Sequence, residues 1–97
     1  MKIVKPGRIW YKRTKKGELI PEKLLVDLPR TLSGKYSSVH AEIVYHGGSL
    51  LREGTVWNEK TAEVYIPVSI AKEMPGDEVE GEIQANGGEL KVRFVVR

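Results

Sequence analysis

The chain has 97 residues, 40% of them hydrophobic and 30% charged, with sixteen Lys/Arg against thirteen Asp/Glu and no cysteine. That size and mix suit one globular domain over residues 1–97 with a small core, and the missing cysteines exclude disulfides, thiolate nucleophiles and thiolate metal sites. No apolar run approaches the roughly 20 residues of a membrane span, and "MKIVKPGRIW" lacks the apolar stretch of a secretory leader, so a cytoplasmic protein with no membrane partner is expected.

In chain order, "GRIWYKRT" at Gly7–Thr14 reads as a strand from its β-branched and aromatic residues, with a hairpin tip around Gly17 and a second strand ending at Ile20-Pro21. A short helix follows, with Leu24, Leu25 and Leu28 on one stripe and Pro29 ending it. After the loop "RTLSGK", Arg30–Lys35, period-two alternation puts Val39, Ala41 and Ile43 inward and His40 outward. Gly47-Gly48 then supplies a hairpin turn, and His46 falls in it.

The second half repeats this plan. "GTVWNEKT" at Gly54–Thr61 is a strand, and the next strand ends at Ile66-Pro67. Ile70, Ala71 and Met74 form the helix stripe, which Pro75 ends before a Gly76-Asp77 turn. Val79, Gly81, Ile83 and Ala85 point inward while Glu78, Glu80, Glu82 and Gln84 meet water. After Gly87-Gly88, Leu90, Val92 and Phe94 are inward again.

These are matched positions in matched order. Gly7, Trp10 and Thr14 recur as Gly54, Trp57 and Thr61; Ile20-Pro21 recurs as Ile66-Pro67; Val39, Glu42, Ile43, Gly47, Gly48 and Leu50 recur as Val79, Glu82, Ile83, Gly87, Gly88 and Leu90. The pattern predicts a tandem duplication of β-β-α-β units, residues 7–50 and 54–96. Neither unit buries a face alone. A six-stranded closed barrel with pseudo-twofold symmetry and two short helices would share one core and remove the edges.

At "IPVSIAKEMPGDEVEGEI" the chain resembles the cradle-loop barrels, which include AbrB-like swapped-hairpin, RIFT and double-psi types. Gly76-Asp77 looks like their Gly-Asp turn after the helix; in the first copy Gly34-Lys35 stands there and the acid is lost. Two units in one chain imply a mainly β, monomeric barrel of the RIFT (or double-psi) type, like small free-standing archaeal barrels. The Lys/Glu richness also suits a thermophile.

Charge directs the functional reading. Residues 1–48 carry ten Lys/Arg against four acids, and residues 49–97 carry six against nine, so the basic surplus belongs to the first half. In "GRIWYKRTKK" an exposed aromatic among cations suits a nucleic acid, with cations on phosphates and a ring on a base. Both tryptophans are expected in the core or lining the barrel, since Trp57 lacks basic neighbours, which leaves Tyr11 as the exposed aromatic. The candidate contact residues for DNA or RNA are Arg8, Tyr11, Lys12, Arg13, Lys15, Lys16, Arg30 and Lys35.

No catalytic constellation is expected. Ser37, Ser38 and His40 have no acid to complete a triad. His40 and His46 show no metal-ligand spacing. The Gly-Gly pairs open no helix and so cradle no phosphate. The reading is a non-enzymatic nucleic-acid-binding protein, without sequence specificity, cofactor or metal. The alternatives are a protein-interaction barrel, or a small-ligand binder using Arg30, Thr31, Ser33 and Lys35.

Overall fold

The computed structural model describes residues 2–32, 36, 38–74 and 77–97. Among the positions singled out above, Ser33, Gly34, Lys35, Ser37, Pro75 and Gly76 lie outside the described residues. The strands are β1 (Lys2–Pro6), β2 (Arg8–Arg13), β3 (Leu19–Asp27), β4 (Ser38–Tyr45), β5 (Gly48–Trp57), β6 (Thr61–Tyr65), β7 (Val79–Asn86) and β8 (Glu89–Val96). A 3-10 turn at Arg30–Leu32 and a four-residue helix α1 (Val68–Ala71) complete the elements.

The eight strands form one sheet in the order β1-β7-β8-β4-β5-β6-β3-β2, curled into an open half-barrel. This corrects the six-stranded closed barrel with two helices. Lys2–Pro6 supplies an additional strand against β7. The last strand inserts between β7, antiparallel, and β4, parallel. The first expected helix is not helical either, because Leu24 and Leu25 belong to β3. A proline was expected to close that strand, yet β3 runs through Pro21. The β2–β3 register shifts there, from Trp10↔Lys23 to Tyr11↔Pro21, and such an irregularity tolerates a residue that cannot donate to the ladder.

Two glycines turn the sheet. β1 and β2 are the end strands of the order, yet only Gly7 separates them in the chain. β5 bends similarly: through Gly54 it pairs with β4, and from Thr55 onward it pairs with β6. Gly7 donates its N–H to Val79 O at 2.8 Å, and Gly54 stands opposite Val39. Strands that switch partners at such bends make the corners between sheets packed across one another.

Further contacts recur at a constant interval. Leu28 N donates to Lys60 O and Ile66 N donates to Glu22 O, a pair in which each residue maps onto its counterpart 38 positions on. Leu32 N bonds Pro29 O, and Ile70 N bonds Pro67 O, at the same interval. The structural counterpart of Ile66-Pro67 is therefore Leu28-Pro29 rather than Ile20-Pro21. Each proline opens a short helical turn, where its missing N–H costs nothing.

The expected alternation holds in the second half of each unit. Val39, Ala41 and Ile43 of β4, Val79 and Ile83 of β7, and Leu90, Val92 and Phe94 of β8 are buried. They meet Leu24, Val26, Ala62, Val64, Ala71 and Met74 in one core, with no buried polar or charged side chain among the described residues. No described helix is long and apolar enough to cross a membrane.

Candidate nucleic-acid interface

The outer face of β2, β3, β6 and β5 carries what the core leaves over. Ile9 and Val56 pack against the core, so their neighbours Trp10 and Trp57 must point the other way. Both tryptophans lie open to solvent, at 58% and 62% exposure, and Tyr65 is 59% exposed. This corrects the expectation that the tryptophans line the interior. The signal was present in G-x-[IV]-W, where the β-branched residue takes the inward position and the tryptophan is out of phase with it.

Cross-strand pairing arranges the face in three rows. The first is Trp10, Lys23 and Tyr65; the second is Arg8, Leu25, Glu63 and Thr55; the third is Asp27, Thr61 and Trp57. All of these except Asp27 line one open groove of about 680 Å³. Trp10 and Trp57 stand at opposite corners, on the outermost strands of this part of the sheet.

The centre of the face compensates its own charge. Lys23 Nζ lies 2.9 Å from Glu63 Oε1, and sits 5.5 Å from the Trp10 ring centre and 5.8 Å from that of Tyr65. The hydrogen bond to Glu63 holds the Lys23 ammonium above its ordinary pKa of 10.5, and outweighs the burial that opposes it. Arg8 Nη2 pairs with Asp27 Oδ1 at 2.8 Å, and Thr61 Oγ1 donates to that oxygen at 3.4 Å. Neither charge pair leaves much net potential on the groove floor.

The surplus charge stands at the rim. Lys12, Arg13, Lys15 and Lys16 are exposed on the β2–β3 hairpin, two to six residues beyond Trp10. The hairpin is tied by Thr14 N to Glu18 O at 2.8 Å and Gly17 N to Thr14 O at 2.9 Å, and Arg13 Nη1 donates to Gly17 O. Glu18 is the one acid in that loop. At the other end, Lys60 follows Trp57 in the β5–β6 turn and lines a shallow recess with Asp27 and Arg30.

Lys12, Arg13, Lys15 and Lys16 stand together at the end of β2 and on its hairpin, whereas Arg8 lies on the groove floor, paired with Asp27. Tyr11 does not join the two tryptophans. It is 40% exposed and faces a separate groove beside Pro21, Lys72 and Met74. Arg30 lies past the far end of β3, away from the hairpin. Lys35 is outside the described residues. Trp10 and Trp57, which the sequence reading placed inside, and Tyr65 and Lys23, which it did not single out, are the further candidate site residues of this face.

Elsewhere the surface carries the ion pairs of Lys2 with Glu82, Arg93 with Glu42 at 3.6 Å and Arg97 with Glu80 at 3.2 Å, while His40 Nδ1 lies 3.6 Å from a Glu53 carboxylate oxygen. Among the described residues no three His, Asp or Glu side chains gather as metal ligands. No family model, no curated protein and no solved structure matches the chain.

Proposed function

We propose that the protein binds single-stranded nucleic acid, acting by binding rather than catalysis, with bases stacking on the open sheet face and phosphates held by its basic rim. The observation that carries this reading is the presence of Trp10, Trp57 and Tyr65, all exposed, on one sheet face beside the cationic hairpin of Lys12–Lys16. Every base offers a π-face, so stacking on such rings is tolerant of sequence, and clustered lysines supply the salt-sensitive attraction to the backbone. No groove-entering element with base-reading side chains is required.

The test is fluorescence anisotropy with single-stranded DNA, single-stranded RNA and duplex DNA at low and physiological salt. Single strands should bind best, with affinity falling steeply as salt rises. A Lys12/Lys15/Lys16→Ala variant should weaken binding and flatten the salt slope. Absence of binding at low salt would sink this reading. The compensated pairs Lys23–Glu63 and Arg8–Asp27 would then favour a protein partner, since Trp, Tyr and Arg are also the side chains that anchor protein interfaces.

We also propose that the chain arose by tandem duplication within the cradle-loop group. Support comes from the G-x-[IV]-W repeat, from the two glycine corners, and from the hydrogen bonds that recur 38 positions on.

A further inference from the structure

Resting on the nucleic-acid reading above, we infer that the face is a two-station site spanning about four nucleotides, one base stacking on Trp10 and another on Trp57. Trp10 is on β2 and Trp57 on β5, with β3 and β6 between them. Three strand spacings amount to about 14 Å across the sheet, and the four residues from the Lys23 row to the Asp27 row add about 13 Å along it. The diagonal is therefore about 19 Å.

One base cannot touch both rings over that distance, nor can two neighbours. Nucleotides rise about 3.4 Å when stacked in a helix and roughly twice that when stretched, so three extended steps bridge the corners. Four nucleotides is also the low end of the site sizes known for small sheet-based single-strand binders, about 4–16.

The rims suit that path. Lys12, Lys15 and Lys16 lie beyond the Trp10 station, and Lys60 follows the Trp57 station. The floor between is the neutral stretch of Lys23–Glu63 and Arg8–Asp27, which neither repels nor traps a passing phosphate. The Lys23 ammonium, paired with Glu63, sits beside the Trp10 and Tyr65 rings.

The experiment is a length series of labelled oligothymidylates of two to eight nucleotides, measured against wild type, Trp10→Ala, Trp57→Ala and the double variant, with circular dichroism confirming the fold of each. Wild type should gain roughly tenfold or more in affinity between two and five nucleotides, the worth of one added stacking contact, and little beyond. Either single substitution should remove that step and leave dinucleotide binding within about threefold, because one station remains. The double variant should lose octamer binding by about a hundredfold.

If wild type binds the octamer without a step between two and five nucleotides, or if the step survives a single substitution, the two-station inference is wrong while the nucleic-acid reading stands. If no oligomer binds at low salt, both fall together.

Discussion

Gly7 and Gly54 occupy matching corners, each pressed onto a carbonyl of the neighbouring strand. A Cβ on Gly7 would lie 2.9 Å from Leu25 O, and one on Gly54 would lie 2.6 Å from Glu63 O, with Val79 and Val39 flanking in turn. Backbone cannot give way as a flexible side chain can. Gly54→Ala should therefore cost about 2–3 kcal/mol and Gly7→Ala somewhat less. Gly17→Ala meets no atom within 4 Å and bears only the strain of φ +84°, about 1 kcal/mol. Thermal melting should rank the three in that order, with Gly54→Ala lower than wild type by about 10–20 °C. An unchanged melting point for Gly54→Ala would contradict the corner.

Gly81 in β7 faces Val26 in β3 across the core. An added Cβ would meet Val26 Cγ2 at 2.8 Å and Cβ at 3.0 Å. Gly81→Ala should destabilise by about 1–3 kcal/mol through overpacking. Val26→Ala leaves a cavity of its own, yet combined with Gly81→Ala it removes the Cγ2 and Cγ1 clashes at 2.8 and 3.2 Å and leaves only the Cβ contact at 3.0 Å. Urea melts of the double-mutant cycle should show a favourable coupling of about 1 kcal/mol. Strict additivity would mean that these strands do not pack on each other as described.

Acid should weaken the fold partly through Glu82. The Lys2 ammonium, hydrogen-bonded to it, holds the Glu82 carboxyl below its ordinary value of 4.5, with help from the charges of Lys2 and Arg93 and against its partial burial. The folded state thus binds this proton more weakly than the unfolded chain. The contribution is present above pH 4.5 and fades as pH falls through the lower folded value. Because Lys2 is exposed, its size stays below about 1 kcal/mol. Glu82→Gln should lose less of its urea midpoint than wild type between neutral and strongly acidic pH. Lys23 behaves oppositely: its contribution is whole below pH 10.5 and is lost as pH rises through its raised value.

Both tryptophans should report water. Acrylamide should quench the native protein nearly as efficiently as the urea-unfolded chain, and Trp10→Ala and Trp57→Ala should each change stability by no more than about 0.5 kcal/mol. A strongly protected component that disappears on unfolding would place one ring in the core and remove a station from the face.

The half of each unit that follows the helical turn was legible in the sequence, because Val39–Ala41–Ile43 and Leu90–Val92–Phe94 alternate strictly and bury one face. The half before it was not. "PEKLLVDLP" has leucines at helix-compatible spacing, and only its pairing with β2 and β6 makes it a strand. "KIVKP" is too short to read alone, and takes its strand character from β7. The basic hairpin was visible as composition. The aromatic face was legible only in the phase of G-x-[IV]-W, where the inward Ile9 and Val56 override the interior preference of large rings.

The place of β8 has a kinetic consequence. It is made after the other described strands yet lies inside the sheet, third in the order, its Ser38–Val44 neighbour on one side some fifty residues earlier in the chain and β7 on the other. The β1–β7 pair and the β4-to-β2 run have no ladder in common until it arrives. A growing chain would therefore hold β4 with a bare edge until Glu89–Val96 had been synthesised, and sheet completion would be a late, all-at-once event. Folding dominated by such distant pairings belongs to the slow range, milliseconds to seconds, and the exposed β4 edge in that interval is the point at which association with another chain would compete with folding.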